Sequence, residues 1–102
     1  MNTFKIKAKI SFFNDFTVIG NQKRKYRNGL ITDFSVRNDM FNSGQITFLD
    51  KVEVYPGESN VIVHIQFVYG NLVAPFLKVG KKFTFGEMGH PYGEGIVLDI
   101  VD

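Results

Sequence analysis

The stretch that decides the fold is Phe4-Lys5-Ile6-Lys7-Ala8-Lys9-Ile10-Ser11-Phe12. Apolar and polar side chains alternate without a break across these nine residues. Successive side chains of an extended strand point to opposite faces, so the pattern predicts one apolar face and one face that carries lysines. A helix would scatter the same apolar residues around its circumference. The segment therefore predicts a half-buried β-strand.

Further strands are predicted over residues 30–36, 45–49, 61–69, 82–85 and 94–101. Turn signals rich in Gly, Asn and Pro separate them, at 28–29, 38–39, 42–44, 55–60 and 86–93. The polar and basic residues 14–28 are predicted to form a long loop. Residues 72–79 are apolar, but Pro75 and the following Gly80 argue against a helix there.

Six strands separated in this way predict an all-β domain, either a sandwich or an antiparallel barrel. A closed barrel would also remove exposed strand edges. The 102 residues suffice for a single domain, 1–102. The predicted core consists of Phe4, Ile6, Ile10, Val61, Val63, Ile65, Phe67, Phe83, Phe85, Ile96, Leu98 and Ile100.

Composition excludes several classes of function. The absence of cysteine removes disulfides, thiolate nucleophiles and cysteine-ligated metals. No run of 18 apolar residues is present, and the N-terminus lacks the apolar stretch of a signal peptide, which predicts a cytoplasmic protein without a membrane segment. The formal net charge of +2 is too small to diagnose nucleic-acid binding.

Catalytic and cofactor motifs are not found in the sequence. The two histidines, His64 and His90, carry no nucleophile motif around them. His90 lies near Glu87 and Glu94, but the spacing matches no zinc pattern, and a solvated turn is favoured over a metal site. The glycines of 86–95 lack the Lys-Ser/Thr pair and the helix of a phosphate-binding loop. We therefore predict a non-enzymatic protein with no metal and no nucleotide cofactor.

One basic cluster stands out, at Lys23, Arg24, Lys25 and Arg27. Four cations around Tyr26 are typical of a segment that neutralises phosphates and stacks on a base. Lys5, Lys7 and Lys9 would add a cationic strand face if that face is exposed. The alternative is a solvated loop together with lysines that protect a strand from pairing with other chains.

Several segments resemble the C-terminal barrel domain of the elongation factor Tu family. Gly44-Gln45-Ile46 resembles its "G-x-I" strand, and Pro56-Gly57-Glu58 resembles its "x-P-G-D-x-V" turn. Residues 77–89 are similar to "G-x-R-F-x-I-R-E-G-G", and residues 93–97 to the closing "V-G-A-G-V-V" strand. Residues 4–12 are similar to the opening strand, and 28–37 to "N-G-Y…F-x-F-R-T". The similarity covers nearly the whole chain and is strongest in its last third.

The resemblance implies a six-stranded antiparallel barrel without the GTPase domain of the family. In that family the domain helps to hold aminoacyl-tRNA, partly through a "G-G-R-T" turn. Here that turn reads Met88-Gly89-His90-Pro91, so His90 stands at the arginine position. Arg37 stands where the arginine of "F-R-T" would be.

These observations predict a binding module whose partner is a protein. An immunity protein or a translation-factor mimic would fit a small barrel with no catalytic constellation. The alternative is an RNA- or tRNA-binding module, whose affinity would fall steeply with salt. The candidate binding residues are Lys23, Arg24, Lys25, Tyr26, Arg27, Arg37, Lys81, Lys82 and His90.

Overall fold

The computed structural model describes residues 3–14, 25–37, 40–87 and 90–101. The strands are β1 (Phe4–Phe12), β2 (Tyr26–Arg27), β3 (Leu30–Arg37), β4 (Met40–Phe48), β5 (Glu53–Val54), β6 (Val61–Phe67), β7 (Lys82–Glu87) and β8 (His90–Ile100). A four-residue helix, α1 (Gly70–Val73), runs into a 3₁₀ turn at Ala74–Phe76. The predicted all-β class is confirmed.

Six of the strands close into an antiparallel barrel in the order β1, β6, β4, β3, β7 and β8. The two short strands β2 and β5 pair with each other as a separate ribbon. Because the barrel strands alternate in direction, β1 starts at the same end at which β3, β6 and β8 finish. We call this the helix end, because α1 follows β6 there, and we call the opposite end the ribbon end.

The alternation in β1 and β6 is confirmed by burial. Ile6, Ala8 and Ile10 are fully buried in β1, and Val61, Val63, Ile65 and Phe67 form the buried face of β6. Phenylalanine rings fill the interior: Phe34 meets Phe67 edge-on with ring centroids 5.1 Å apart, and its centroid lies 5.8 Å from that of Phe85. Edge-to-face and tilted pairs of this kind add to the stabilisation gained by burial.

The prediction for the last strand was wrong in its register. Leu98 is exposed and Ile96 is only half-buried, whereas Val97 is 1% exposed and belongs to the core. The inward positions before Val97 are Gly93 and Gly95. Because glycine has no side chain, the pattern of apolar residues could not show which face of this strand points inward. A register shift against β1 between Lys7 and Ala8 then displaces the rest of the strand.

Four other local predictions were wrong. Residues 42–44, predicted as a turn, lie inside β4, and Tyr26 and Arg27 form β2 rather than belonging to the loop predicted at 14–28. Of the turn predicted at 86–93, residues 86–87 belong to β7 and 90–93 to β8, and residues 88–89 lie outside the described residues. The segment predicted not to be helical begins with α1. Pro75 is accommodated because it lies in the first turn of the 3₁₀ segment, where its missing N–H costs little.

Gly93→Ala is expected to lower the free energy of unfolding by about 1–3 kcal/mol, because the core has no room for a methyl group. A Cβ at this position would meet the ring of Phe85 at 2.7 Å and would also overlap the carbonyl oxygen of Ser11. Urea unfolding measures the change. Gln66→Ala, on the exposed face of β6, is the control and should change stability by less than about 0.5 kcal/mol. Equal stability of Gly93→Ala and wild type would contradict this packing.

Candidate functional site

The described part of the basic cluster lies at the ribbon end. Lys25 forms an ion pair with Glu53, with Nζ and Oε2 3.5 Å apart. Arg27 lies opposite Glu53 in the backbone pairing of β2 with β5. Tyr26 is 3% exposed, and its ring stacks on Phe12 with centroids 4.4 Å apart. The prediction that Tyr26 stacks on a base is therefore corrected, because the ring is part of the core. Lys23 and Arg24 lie outside the described residues.

His90 also lies at the ribbon end, where it is the first residue of β8 and pairs with Glu87. Its ring meets Tyr92 edge-on at 5.9 Å, and the hydroxyl of Tyr92 donates a hydrogen bond of 2.6 Å to Glu87 Oε1. Within the described residues, no group of three or more His, Asp or Glu side chains is arranged to hold a metal ion. His90 pairs with the last residue of β7, whereas Lys81 and Lys82 lie where β7 begins, so His90 is at the opposite end of the barrel from these lysines.

Lys81 and Lys82 lie at the seam where β3 meets β7. The two strands pair at only three positions, Asp33–Gly86, Phe34–Phe85 and Ser35–Thr84. β3 continues to Arg37 and β7 begins at Lys82, yet no pairing between these two strands is found in the described residues beyond Ser35 and Thr84. The pairing of β3 with β7 therefore stops two residues short of the strand ends at the helix end.

A surface cleft of about 440 Å³ lies at this part of the barrel wall and is lined by residues of β1, β3, β7 and β8; we call it the seam cleft. Three cations line it, Lys9, Lys81 and Lys82, together with the carboxylate of Glu94. The hydroxyl residues Ser35 and Thr84 and the apolar residues Val36, Phe83 and Ile96 complete most of the lining. Arg37 follows Val36 directly, at the end of β3. The cleft thus brings together two of the predicted binding residues, Lys81 and Lys82, and adds Lys9.

Charge is distributed unequally between the two ends. Three ribbon-end carboxylates have local partners: Glu53 pairs with Lys25, Glu58 pairs with Lys51 at 2.6 Å, and Glu87 accepts a hydrogen bond from Tyr92. At the helix end and in the seam cleft, no ion pair is found in the described residues for the lysines Lys5, Lys9, Lys78, Lys81 and Lys82. These lysines therefore have no carboxylate partner among the described residues.

The helix end also exposes large apolar side chains. The helix-end apolar surface consists of seven residues that are 37–65% exposed: Val68, Tyr69, Leu72, Phe76, Val79, Leu98 and Val101. Val73 and Leu77 of the same segment are buried and close this end of the barrel. The segment from 68 to 79 is therefore apolar on its outer side as well as on the side that faces the core.

Sequence reasoning did not identify this surface, although its signal was present. An apolar segment that cannot bury all of its side chains in a small barrel leaves some of them in solvent. Six other large apolar side chains of the described ranges are exposed on the barrel wall and at the ribbon end: Phe13, Ile31, Phe41, Leu49, Val52 and Tyr55.

Comparison of the sequence with protein-family models and with curated proteins finds no match. Among residues 3–14, 25–37, 40–87 and 90–101, no helix is both long enough and apolar enough to cross a membrane.

One carboxylate at the ribbon end makes the turn at 55–58 sensitive to pH. The hydrogen bond from Lys51, and then the one from the backbone N–H of Tyr55, lower the pKa of Glu58 below its ordinary value of 4.5. A carboxyl group with a lowered pKa in the folded state stabilises the fold above its unfolded pKa. That contribution is lost as the pH falls through the folded pKa.

Glu58→Gln should therefore reduce stability at neutral pH, by no more than about 1 kcal/mol because the ion pair is exposed to solvent. Below the ordinary pKa of 4.5 the difference from wild type should shrink. Urea unfolding at neutral pH and at a pH below 4.5 measures the difference in stability. Lys51→Met should reproduce part of the loss of stability at neutral pH. A difference that does not change with pH would show that the carboxylate charge has no role in the turn.

Proposed function

We propose that this chain is a non-enzymatic protein-binding module that docks an acidic partner on its helix-end apolar surface. The observation that carries the proposal is the set of seven exposed apolar side chains at one end of the barrel. Large apolar side chains exposed together at one end of a domain are typical of an interaction site. The proposal concerns what this surface binds and assigns no reaction to it.

The chemistry of the surface resembles the centre of a protein interface. Aromatic side chains are enriched at such centres, and Tyr69 and Phe76 are both exposed here, at 58% and 38%. Burying them against a partner would remove apolar area from water, which stabilises a complex by about 25 cal/mol per Å² before the costs of association. Charged residues belong at the rim of such an interface, and the exposed Lys78 directly precedes Val79 of this surface.

The charge of the helix end favours an acidic partner over a second copy of the same chain. Lys5, Lys78, Lys81 and Lys82 lie at or beside this end, and none forms an ion pair within the described residues. Two copies docked through this end would bring like charges together, which opposes association. A carboxylate-rich surface would neutralise the same lysines and would also accelerate encounter.

The RNA-binding alternative receives less support from the described residues. The ring of Tyr26 is buried, and Lys25 is engaged with Glu53, so this part of the cluster offers neither a stacking ring nor an unpaired lysine. An immunity protein and a translation-factor mimic are two specific forms of the protein-binding proposal. The identity of the partner distinguishes between them.

The proposal predicts that Leu72→Asp combined with Val79→Asp abolishes capture of the partner in a pull-down from lysate. Both side chains are substantially exposed, at 42% and 65%, so the change should leave the thermal unfolding midpoint close to that of wild type. Carboxylates at these positions would remove apolar contact and would repel an acidic partner. The matched control is Ile31→Asp, which changes a side chain that is 69% exposed on the barrel wall.

The partner should still be captured after nuclease treatment and by the Ile31→Asp variant. It should not be captured by the variant that combines Leu72→Asp with Val79→Asp. Capture that is unaffected by the double variant would overturn the helix end as the docking surface. Nucleic acid that co-elutes and disappears at high salt would instead support the RNA-binding alternative.

A further inference from the structure

We infer that the seam cleft binds a small phosphorylated sugar, with the phosphate group held by lysines and the sugar hydroxyl groups beside a carboxylate. This inference goes beyond the proposed docking at the helix end, since it concerns a small-molecule site on the barrel wall. It rests on the exposed and half-buried side chains that line the cleft, Lys9, Lys81, Lys82, Thr84, Glu94 and Ile96.

The first support is a row of outward positions that crosses three strands. The register places Lys82 of β7 opposite Ile96 of β8, and Ile96 opposite Lys9 of β1. Residues directly opposite each other in an antiparallel sheet point to the same face, and neighbouring strands lie about 4.8 Å apart. The backbones of the two lysines are therefore about 10 Å apart, with the half-buried Ile96 between them. Their long flexible side chains allow both ammonium groups to contact one ligand.

The second support is the excess of positive charge beside this row. Lys81 adds a third cation just before β7 begins, and Lys9, Lys81 and Lys82 are all exposed. None of the three forms an ion pair with another described residue. A phosphate group carries about two negative charges at neutral pH and accepts several hydrogen bonds, which suits a group of lysines. The lysines therefore favour a phosphate group on their side of the cleft.

The third support is a carboxylate on the next row of outward positions. Glu94 lies two residues before Ile96 on the same face of β8, about 7 Å away along the strand, and it is opposite Thr84 of β7. Glu94 is exposed and forms no ion pair with the described lysines. An ionised carboxylate only accepts hydrogen bonds, so it repels a second phosphate group and binds hydroxyl groups. The hydroxyl of Thr84 can donate to or accept from the same ligand.

The size of the cleft fits a ligand of this kind. Its volume of about 440 Å³ lies within the range of about 300–1,000 Å³ that is usual for small-molecule pockets. A five-carbon sugar phosphate carries its charge at one end and its hydroxyl groups at the other. That order matches the placement of the lysines and Glu94 across the cleft, and Ile96 offers apolar contact to the carbon atoms between them.

A nucleic-acid strand is the other source of sugar-phosphate chemistry, and it fits this cleft less well. Binding of a single strand combines phosphate contacts with aromatic rings on which bases stack. The aromatic residue of the cleft lining is Phe83, which is only 4% exposed and packs into the barrel, where its ring centroid lies 5.8 Å from that of Phe34. The lining therefore offers cations and hydroxyl groups but no accessible ring.

The test uses the full chain at low ionic strength and three small molecules, which are ribose 5-phosphate, inorganic phosphate and ribose. Titration monitored by amide chemical shifts gives the dissociation constant and the residues that respond. Ribose 5-phosphate should shift the amides of Lys9, Lys82, Thr84 and Ile96. It should bind about tenfold more tightly than inorganic phosphate, because its hydroxyl groups add hydrogen bonds to a charged acceptor. Ribose alone should bind more weakly than either phosphate compound.

Two variants separate the two halves of the cleft. Lys9→Met combined with Lys82→Met should weaken binding of both phosphate compounds by about tenfold or more, because two cations are lost while their apolar stems are kept. Glu94→Met should lower the preference for ribose 5-phosphate over inorganic phosphate to about twofold or less, since the acceptor for the hydroxyl groups is gone. Lys25→Met combined with Lys51→Met removes the same charge from the ribbon end and should leave binding unchanged.

Each of four results would overturn the inference: no binding of ribose 5-phosphate, equal binding of inorganic phosphate, a sugar preference that Glu94→Met leaves intact, or shifts confined to other parts of the barrel. Tighter binding of a thymidine oligonucleotide that Lys9→Met with Lys82→Met abolishes would assign the cleft to nucleic acid instead. The titration needs no protein partner, so its failure is distinguishable from failure of the helix-end proposal. Leu72→Asp combined with Val79→Asp should bind ribose 5-phosphate normally.

Discussion

The structure depends on a match between phenylalanine rings and glycines inside a narrow barrel. A closed six-stranded sheet leaves an interior that side chains must fill completely, and the rings of Phe34, Phe67, Phe83 and Phe85 do so here. The space for these rings exists because two inward positions of β8 are Gly93 and Gly95. A Cβ at Gly95 would lie 2.7 Å from the ring of Phe83. The glycines of β8 therefore leave space for the rings of β7, and a side chain at either position would disturb the packing inside the barrel.

Closure by this core leaves two different ends and one incomplete seam. The ribbon end is covered by Tyr26 stacked on Phe12 and carries carboxylates that have local partners. The helix end is closed by Val73 and Leu77, but the same segment has more apolar side chains than the barrel can bury. The seam is short because β3 and β7 pair at only three positions. The helix-end surface that we propose for binding is therefore a place where the barrel leaves apolar groups and lysines exposed.

The sequence predicted strands correctly where apolar and polar side chains alternate along the strand. Alternation in β1 and β6 identified the inward face correctly, because each inward position carries an apolar side chain. The same reasoning failed in β8, where Gly93 and Gly95 carry no side chain and a bulge displaces Leu98. Gly44 was misread as part of a turn, although it lies in β4 against the ring of Phe34. In each case tertiary packing around a glycine overrode the local turn signal.

The candidate sites were predictable only in part, since they depend on which strands become neighbours. Lys81 and Lys82 were identified from sequence, but their association with Lys9 required the register of β7 and β8 against β1. Tyr26 was misassigned because an aromatic residue among cations suits either a core or a stacking surface.

The central claim is that the helix end contacts a protein partner. The most direct measurement places a photo-crosslinking amino acid at position 72 or at position 31 in cells that produce this chain. The account predicts one abundant protein adduct from position 72 and none of the same mass from position 31. Equal adducts from both positions, or none from position 72, would contradict it.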